Sequence, residues 1–435
     1  MEVVEAVEDR ATITREESSK REAETLTPEL LAATKRLQSD DRFDDDDDDD
    51  TPTVLDGTSN ARPEPKSHHD YFDGLQWSAD GTTLLLSSAV SHRLASYILP
   101  PGLLTPPDPQ GYHDLNPYCI HSLPEPIYAT AIHPAFSLSN PESYYLASLR
   151  ALPIRLLSPF APGLVASYPL VSRNTEAWIA PHSLLCASQD SGTFFAGSDG
   201  RVSLFDMWRD GEEPFASIQT GRRRRRAGKV NSAQFFSDEG VGSRGVIGIV
   251  SALAMNNEKI LAAGSFNGGI ALLDPFREEG SVGTLPLPAD TMRGVTALKF
   301  QPQPARGDYL VVASRCSNAV HVFDLRNAGA VMATLRGRKA MTQQRLGIEI
   351  SADGEVMAGG TDGVVRAWDG IGMQEGEVEC SREWQLHQDA VGGLGLYPDS
   401  EMTIAATCAG SRIYEDSDVS RREKEEAGSL KVWTC

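Results

Sequence analysis

One recurring pattern restricts this chain more than any other. The segment Phe194-Phe195-Ala196-Gly197-Ser198-Asp199-Gly200, running on through Val202 and Leu204 to Asp206, matches Val356 to Gly363, which runs on through Val364 and Ala367 to Trp368-Asp369. Ile260 to Asp274 is a third copy, with Asn267-Gly268 at its turn. In all three the turn glycine precedes a closing aspartate by six residues, and Leu310 to Asp324 keeps that spacing with Asn318 in glycine's place. Asp-Gly and Asn-Gly accept the positive φ of a tight hairpin turn, and the alternation after the turn suits a strand, so each copy is predicted to be a β-hairpin. A second signal, Ser78-Ala79-Asp80-Gly81, recurs letter for letter at Ser351-Ala352-Asp353-Gly354, each time between two apolar runs.

From about residue 67 the chain consists of such short runs bounded by Gly, Asp, Asn or Pro, with no long helical periodicity. Candidate first strands begin near Gly74, Ile127, His182, Gly248, Gly294, Arg345 and Val391. Their spacing of 46 to 66 residues is a little longer than the roughly 40 to 45 of one four-stranded WD40 blade. The predicted fold class is therefore all-β: a seven-bladed WD40 β-propeller over residues 67–435, with loop insertions at about 208–245 and 414–428. Ser429 to Cys435 reads as a third strand with no fourth after it, so the ring is expected to close on an outer strand near residues 52–72.

The first fifty residues carry 18 acidic and 7 basic side chains, more than half of the net charge of −21. Seven consecutive aspartates, Asp44 to Asp50, repel one another and have no apolar partners. Residues 1–66 are accordingly predicted to be a disordered acidic tail preceding the propeller, with a frayed helix over Thr27 to Leu37, where Thr27 would cap and Pro28 would sit at the first helical position. No run of eighteen apolar residues and no Asn-x-Ser/Thr sequon occurs, which argues against membrane spanning and secretion. The six cysteines, at 119, 186, 316, 380, 408 and 435, form no C-x-x-C pair; they read as reduced thiols, with no metal site.

The common sequence signatures of catalysis are absent. The stretch Gly221 to Lys229 evokes a phosphate loop, but Arg223 stands where the pattern requires glycine and Val230 where it requires a hydroxyl. There is no G-x-S-x-G elbow and no H-E-x-x-H helix. His182 reads as a structural histidine in a strand. No enzyme activity and no cofactor are expected. The strongest chemical feature is Arg222, Arg223, Arg224, Arg225 and Arg226, followed by Lys229, in the longest interval between blades. Guanidinium forks match phosphate oxygens, so the run is a candidate nucleic-acid site; its other readings are a nuclear import signal and plain solvation. A second cluster, Arg336, Arg338 and Lys339, leads into Gln344 and Arg345. Arg338, Lys339, Gln344 and Arg345 open on one ring face if the fold is as predicted, and Gln344 and Arg345 have a further reading as ties between neighbouring blades. Neither cluster is interleaved with aromatic residues, so RNA contact there is expected to be with backbone or shape.

Five collinear segments extend the reading: Gly74 to Gly81, Tyr144 to Ser148 with Pro153-Ile154, Pro181 to Leu184, Gly248 to Ala252, and Thr342 to Leu346 running on to Trp368-Asp369. On these the chain resembles the telomerase Cajal body protein family and its fungal relatives linked to pre-mRNA splicing. It departs from the common WD40 signature in having Trp-Asp in one copy and no Gly-His partner. The resemblance implies a non-enzymatic nuclear scaffold for small non-coding RNA, with possible nuclear-body and cytoplasmic pools and with ribonucleoprotein, splicing or chromatin-associated proteins as partners. It would act as a monomer within a larger complex, off the membrane. The alternative is a protein-only WD40 scaffold without direct RNA contact.

Overall fold

The computed structural model describes residues 27–34 and 70–434, apart from 89, 106, 108–110, 173, 189–190, 222–244, 258, 278–280, 289–293, 303–307, 328–329, 399–402 and 412–428. The turn chemistry behaves as its residues dictate. Gly200, Gly268 and Gly363 take φ values of 69°, 85° and 75° between the second and third strands of their blades. In the fourth copy the left-handed residue is Cys316 (φ 47°), two positions before Asn318, so that turn is built differently. The closing aspartates start the next reversal: Asp206, Asp274 and Asp324 each accept a hydrogen bond from the backbone N–H two residues on, at Trp208, Phe276 and Arg326.

Seven sheets result, and the chain is a seven-bladed β-propeller. The innermost strands are Phe72–Trp77, Ile127–Ile132, Ser183–Ser188, Val250–Met255, Val295–Phe300, Ile348–Ile350 and Val391–Leu396. Each starts within three residues of its predicted position. Central strands such as Thr83–Ser88 and Ile404–Ala409 are buried along their whole length because a neighbouring blade covers each face, whereas outer strands such as Ala216–Gln219 alternate.

Seven hydrophobic clusters lie one at each blade–blade interface. Between blades three and four, for instance, Phe195, Val202 and Leu204 meet Val250, Leu261 and Leu273. Serine hydroxyls reinforce the seams, Ser183 Oγ donating to Val250 O at 3.0 Å and Ser251 Oγ to Val295 O at 2.6 Å. The repeat glycine in the second strand lets the next blade approach. A Cβ on Gly264 would lie 2.6 Å from Val295 Cγ1, and one on Gly197 or Gly359 would crowd Val250 or Val391 in the same way. Gly264→Ala is therefore expected to destabilise the fold by about 2 kcal/mol; an unchanged urea midpoint would show that the seam has slack.

Ring closure corrects three expectations. The outer strand of blade seven is Glu29–Thr34, antiparallel to Leu430–Thr434 with Leu30 opposite Trp433 and Ala32 opposite Val432. It is not a helix, the closing segment is not near residues 52–72, and the propeller does not begin at residue 67. An isolated two-turn helix leaves most of its terminal backbone groups unpaired. Paired with Leu430–Thr434, the same residues make ladder bonds and bury Leu31, Ala32 and Ala33. Two short strands add a fifth member to blades: His113–Leu115 runs parallel to residues 32–34 of the closing strand, and Gly376–Val378 runs parallel to residues 333–335. Each arises between the third and fourth strands of the following blade. Among the described residues no helix is long and apolar enough to cross a membrane.

Candidate functional site

The innermost strands of all seven blades enclose a central channel of about 1050 Å³. Its mouth, on the face where each first strand begins, is organised by a single side chain. Arg345 precedes the first strand of blade six, and its guanidinium reaches across the opening. Nη2 donates to His182 O at 2.9 Å and to Ser251 O at 3.2 Å, and Nη1 to Tyr128 O at 3.5 Å. One planar fork thus ties blade six to blades two, three and four on the far side of the ring.

The electrostatics follow from this placement. Burial pushes the Asp73 carboxyl from its ordinary 3.8 up to about 6, partly offset by the Ser87 hydroxyl, which donates to it at 2.8 Å, and by the charge of Arg345. Burial also lowers His182, and the positive charges of Arg345 and Arg315 lower it further, so its imidazole is neutral at neutral pH. Arg315 lies over the Phe266 ring with its guanidinium carbon 4.3 Å from the centroid. The Tyr128 and His182 rings stack at 4.4 Å with 16° between planes.

The sequence-derived candidates divide. Arg222 to Arg226 and Lys229 lie outside the described residues. The ends of that loop are defined: Gly221 and Gly245 form a β-bridge, and Thr220 Oγ1 donates to Val246 O at 2.7 Å. Arg336 is paired with Glu377 at 2.7 Å. Arg338 is not a surface residue: it is 3% exposed, its Nε donates to Gly359 O at 2.8 Å, and burial draws its pKa down to about 10. Lys339 reaches Asp362 at 3.3 Å and is otherwise largely in solvent. Gln344 donates to Gly410 O at 2.7 Å and so ties blade six to its neighbour, blade seven. Arg345 does more than join neighbours, since its partners lie across the channel.

Sequence reasoning missed Tyr128, Phe266 and Arg315, which come from three different blades and become adjacent to His182 or to one another only in the ring. It also missed His387. This buried imidazole bonds Thr407 Oγ1 at 2.7 Å through Nε2 and Ser429 Oγ at 3.1 Å through Nδ1, while Trp433 Nε1 donates to the same Thr407 Oγ1 at 2.9 Å. Burial, with the charge of Lys431, lowers its pKa to about 3. The tryptophan–hydroxyl–histidine chain does the strand-holding work expected of the Gly-His signature, but Leu386 stands where the glycine would mark it.

No protein-family model matches the chain. It is 26% identical over 380 residues to Telomerase Cajal body protein 1 of Mesocricetus auratus, an alignment that takes in 86% of this chain and 64% of that protein. It is also 26% identical over 361 residues to the Mus musculus protein of the same name, covering 82% and 62% of the two. The Schizosaccharomyces pombe protein named Guanine nucleotide-binding protein negative regulator 1 is 25% identical over 388 residues, 87% of this chain and 89% of its own. The chain is similar to these proteins over more than four fifths of its length. The resemblance read from five short segments therefore extends along the propeller, and this relative spans less than two thirds of the length of the two mammalian proteins.

Proposed function

We propose that this propeller is a non-enzymatic scaffold of a nuclear ribonucleoprotein pathway and that it holds a small non-coding RNA on the face where its first strands begin. The observation that carries the reading is the Gly221–Gly245 bridge. It fixes both ends of the arginine-rich loop on the face that also carries Arg315, Lys339 and Arg345. Seven cationic residues between Gly221 and Gly245 join those three on a protein of net charge −21, so the basic charge is concentrated where phosphates are to be met. The names of the mammalian relatives, which place them with telomerase in the Cajal body, support nuclear action on RNA.

The test is RNA crosslinking and binding with the full chain, comparing wild type with a variant in which Arg222 to Arg226 are all serine. The variant is expected to bind RNA about tenfold more weakly, with a shallower salt dependence between about 50 and about 200 mM. The second reading, a scaffold for proteins alone, draws on the overall negative charge and on the name of the fungal relative, a regulator of a guanine nucleotide-binding protein. It is favoured if purified full chain captures partner proteins and neither form crosslinks to RNA.

A further inference from the structure

Four blades in succession place one flat group each at the channel mouth. Tyr128 is the second residue of the first strand of blade two, His182 immediately precedes that of blade three, and Phe266 and Arg315 occupy the turns between the second and third strands of blades four and five. The contacts are continuous: Tyr128 stacks on His182 at 4.4 Å, Phe266 meets His182 edge-on at 5.6 Å and 70°, and Arg315 lies over Phe266 at 4.3 Å. All four are half-buried, unlike the aromatic residues of the blade seams, where Phe194, Phe205 and Tyr168 are fully buried. The two ends of the arc, Tyr128 and Arg315, both line the channel. Arg315 Nε is buried and has no hydrogen-bond partner among the described residues.

A half-exposed tyrosine, backed by a neutral imidazole in an arc that ends in a guanidinium held over a ring, matches one kind of ligand. An unpaired nucleotide offers a π-face with no sequence requirement and, one sugar away, an anionic oxygen. We propose that this arc is a nucleotide clamp, taking an unpaired base of an RNA strand onto Tyr128 and a phosphate of the same strand onto Arg315. The clamp rests on the RNA reading above and narrows it: the basic loop attracts the backbone, and the arc selects single-stranded over paired segments, because a base in a duplex has no free face to give.

The experiment uses the full chain and a fluorescent single-stranded oligouridine carrying 4-thiouridine, with a fully paired duplex of equal length as comparison. Tyr128→Ala is expected to weaken oligouridine binding about tenfold, the loss of one stacked base. Tyr128→Phe should keep it, and Arg315→Gln should weaken it while flattening the salt dependence. Photocrosslinks in the wild type should map to the peptide containing Tyr128, and unchanged melting of the Tyr128→Ala variant keeps the comparison free of folding effects. If Tyr128→Ala binds like wild type while the five-serine loop variant loses binding, the clamp is overturned and the RNA reading stands. If the full chain binds neither oligouridine nor duplex, both fall. If uridine monophosphate binds as tightly as the strand, the arc is a mononucleotide pocket and the proposal is wrong.

Discussion

Leu31→Asp is expected to destabilise the propeller by about 4 kcal/mol, roughly a 5 °C drop in melting midpoint for a chain of this size. Leu31 is 2% exposed and sits in the cluster shared by blades seven and one, with Phe72, Leu84, Leu430 and Val432. A carboxylate there has no cation among those cluster residues, so it either ionises at a desolvation cost or stays protonated in an apolar site. The loss extends beyond the side chain. The strand it disrupts supplies the ladder partners of Leu430–Thr434 and of His113–Leu115, so two edges would open at once. Glu29→Gln, at the exposed start of the same strand, should change stability by no more than about 0.5 kcal/mol. Equal melting of Leu31→Asp and wild type would mean that this strand does not close the ring in solution.

Arg345→Met is expected to cost about 3 kcal/mol and to make the cost depend on pH. Hydrogen bonds from a charged donor contribute about 1.5 to 3 kcal/mol each, but the channel is wide enough for water to replace part of the three that Arg345 makes. The pH term comes from Asp73. Its folded pKa is raised, so the stability it contributes is complete below its ordinary 3.8 and is lost as pH rises through about 6. Arg345 is one of the groups holding that value down, and without it the carboxyl rises further and its ionisation at alkaline pH costs more. His182 acts in the same sense: freed of the Arg345 charge it protonates more readily, which relatively favours the variant in acid. Urea unfolding should therefore show a larger deficit at pH 8 than at pH 5. Arg345→Lys, which keeps the charge but loses the fork, should recover only part of the stability. A deficit independent of pH would separate Arg345 from Asp73 and His182.

What could be read in the sequence was whatever is encoded locally. The blade number and the strand starts came from turns whose φ only glycine takes easily, at Gly200, Gly268 and Gly363, and from buried strands that follow them directly. The closing strand was missed for a physical reason: Leu30, Leu31 and Leu37 suit one face of a helix, and Glu29 to Thr34 becomes a strand only beside a partner about four hundred positions away. The stacked arc was missed similarly, because Tyr128, His182, Phe266 and Arg315 have unremarkable neighbours in the chain and meet only in the ring. Arg338 misled in the opposite way: in sequence it belongs to a basic cluster, yet the fold spends it on a single carbonyl, Gly359 O.

The seam that joins Glu29–Thr34 to Leu430–Thr434 also sets an order of events during synthesis. The hydroxyl of Thr34 and the amide of Leu430 are separated by 396 positions, so at roughly 5 to 20 residues per second Glu29–Thr34 waits about 20 to 80 s for its partner. Throughout that interval it is an unpaired edge with an apolar face, the kind of segment that recruits the same segment of another nascent chain. Ten residues downstream begins the run of seven aspartates, whose charge opposes such encounters until the last strand arrives.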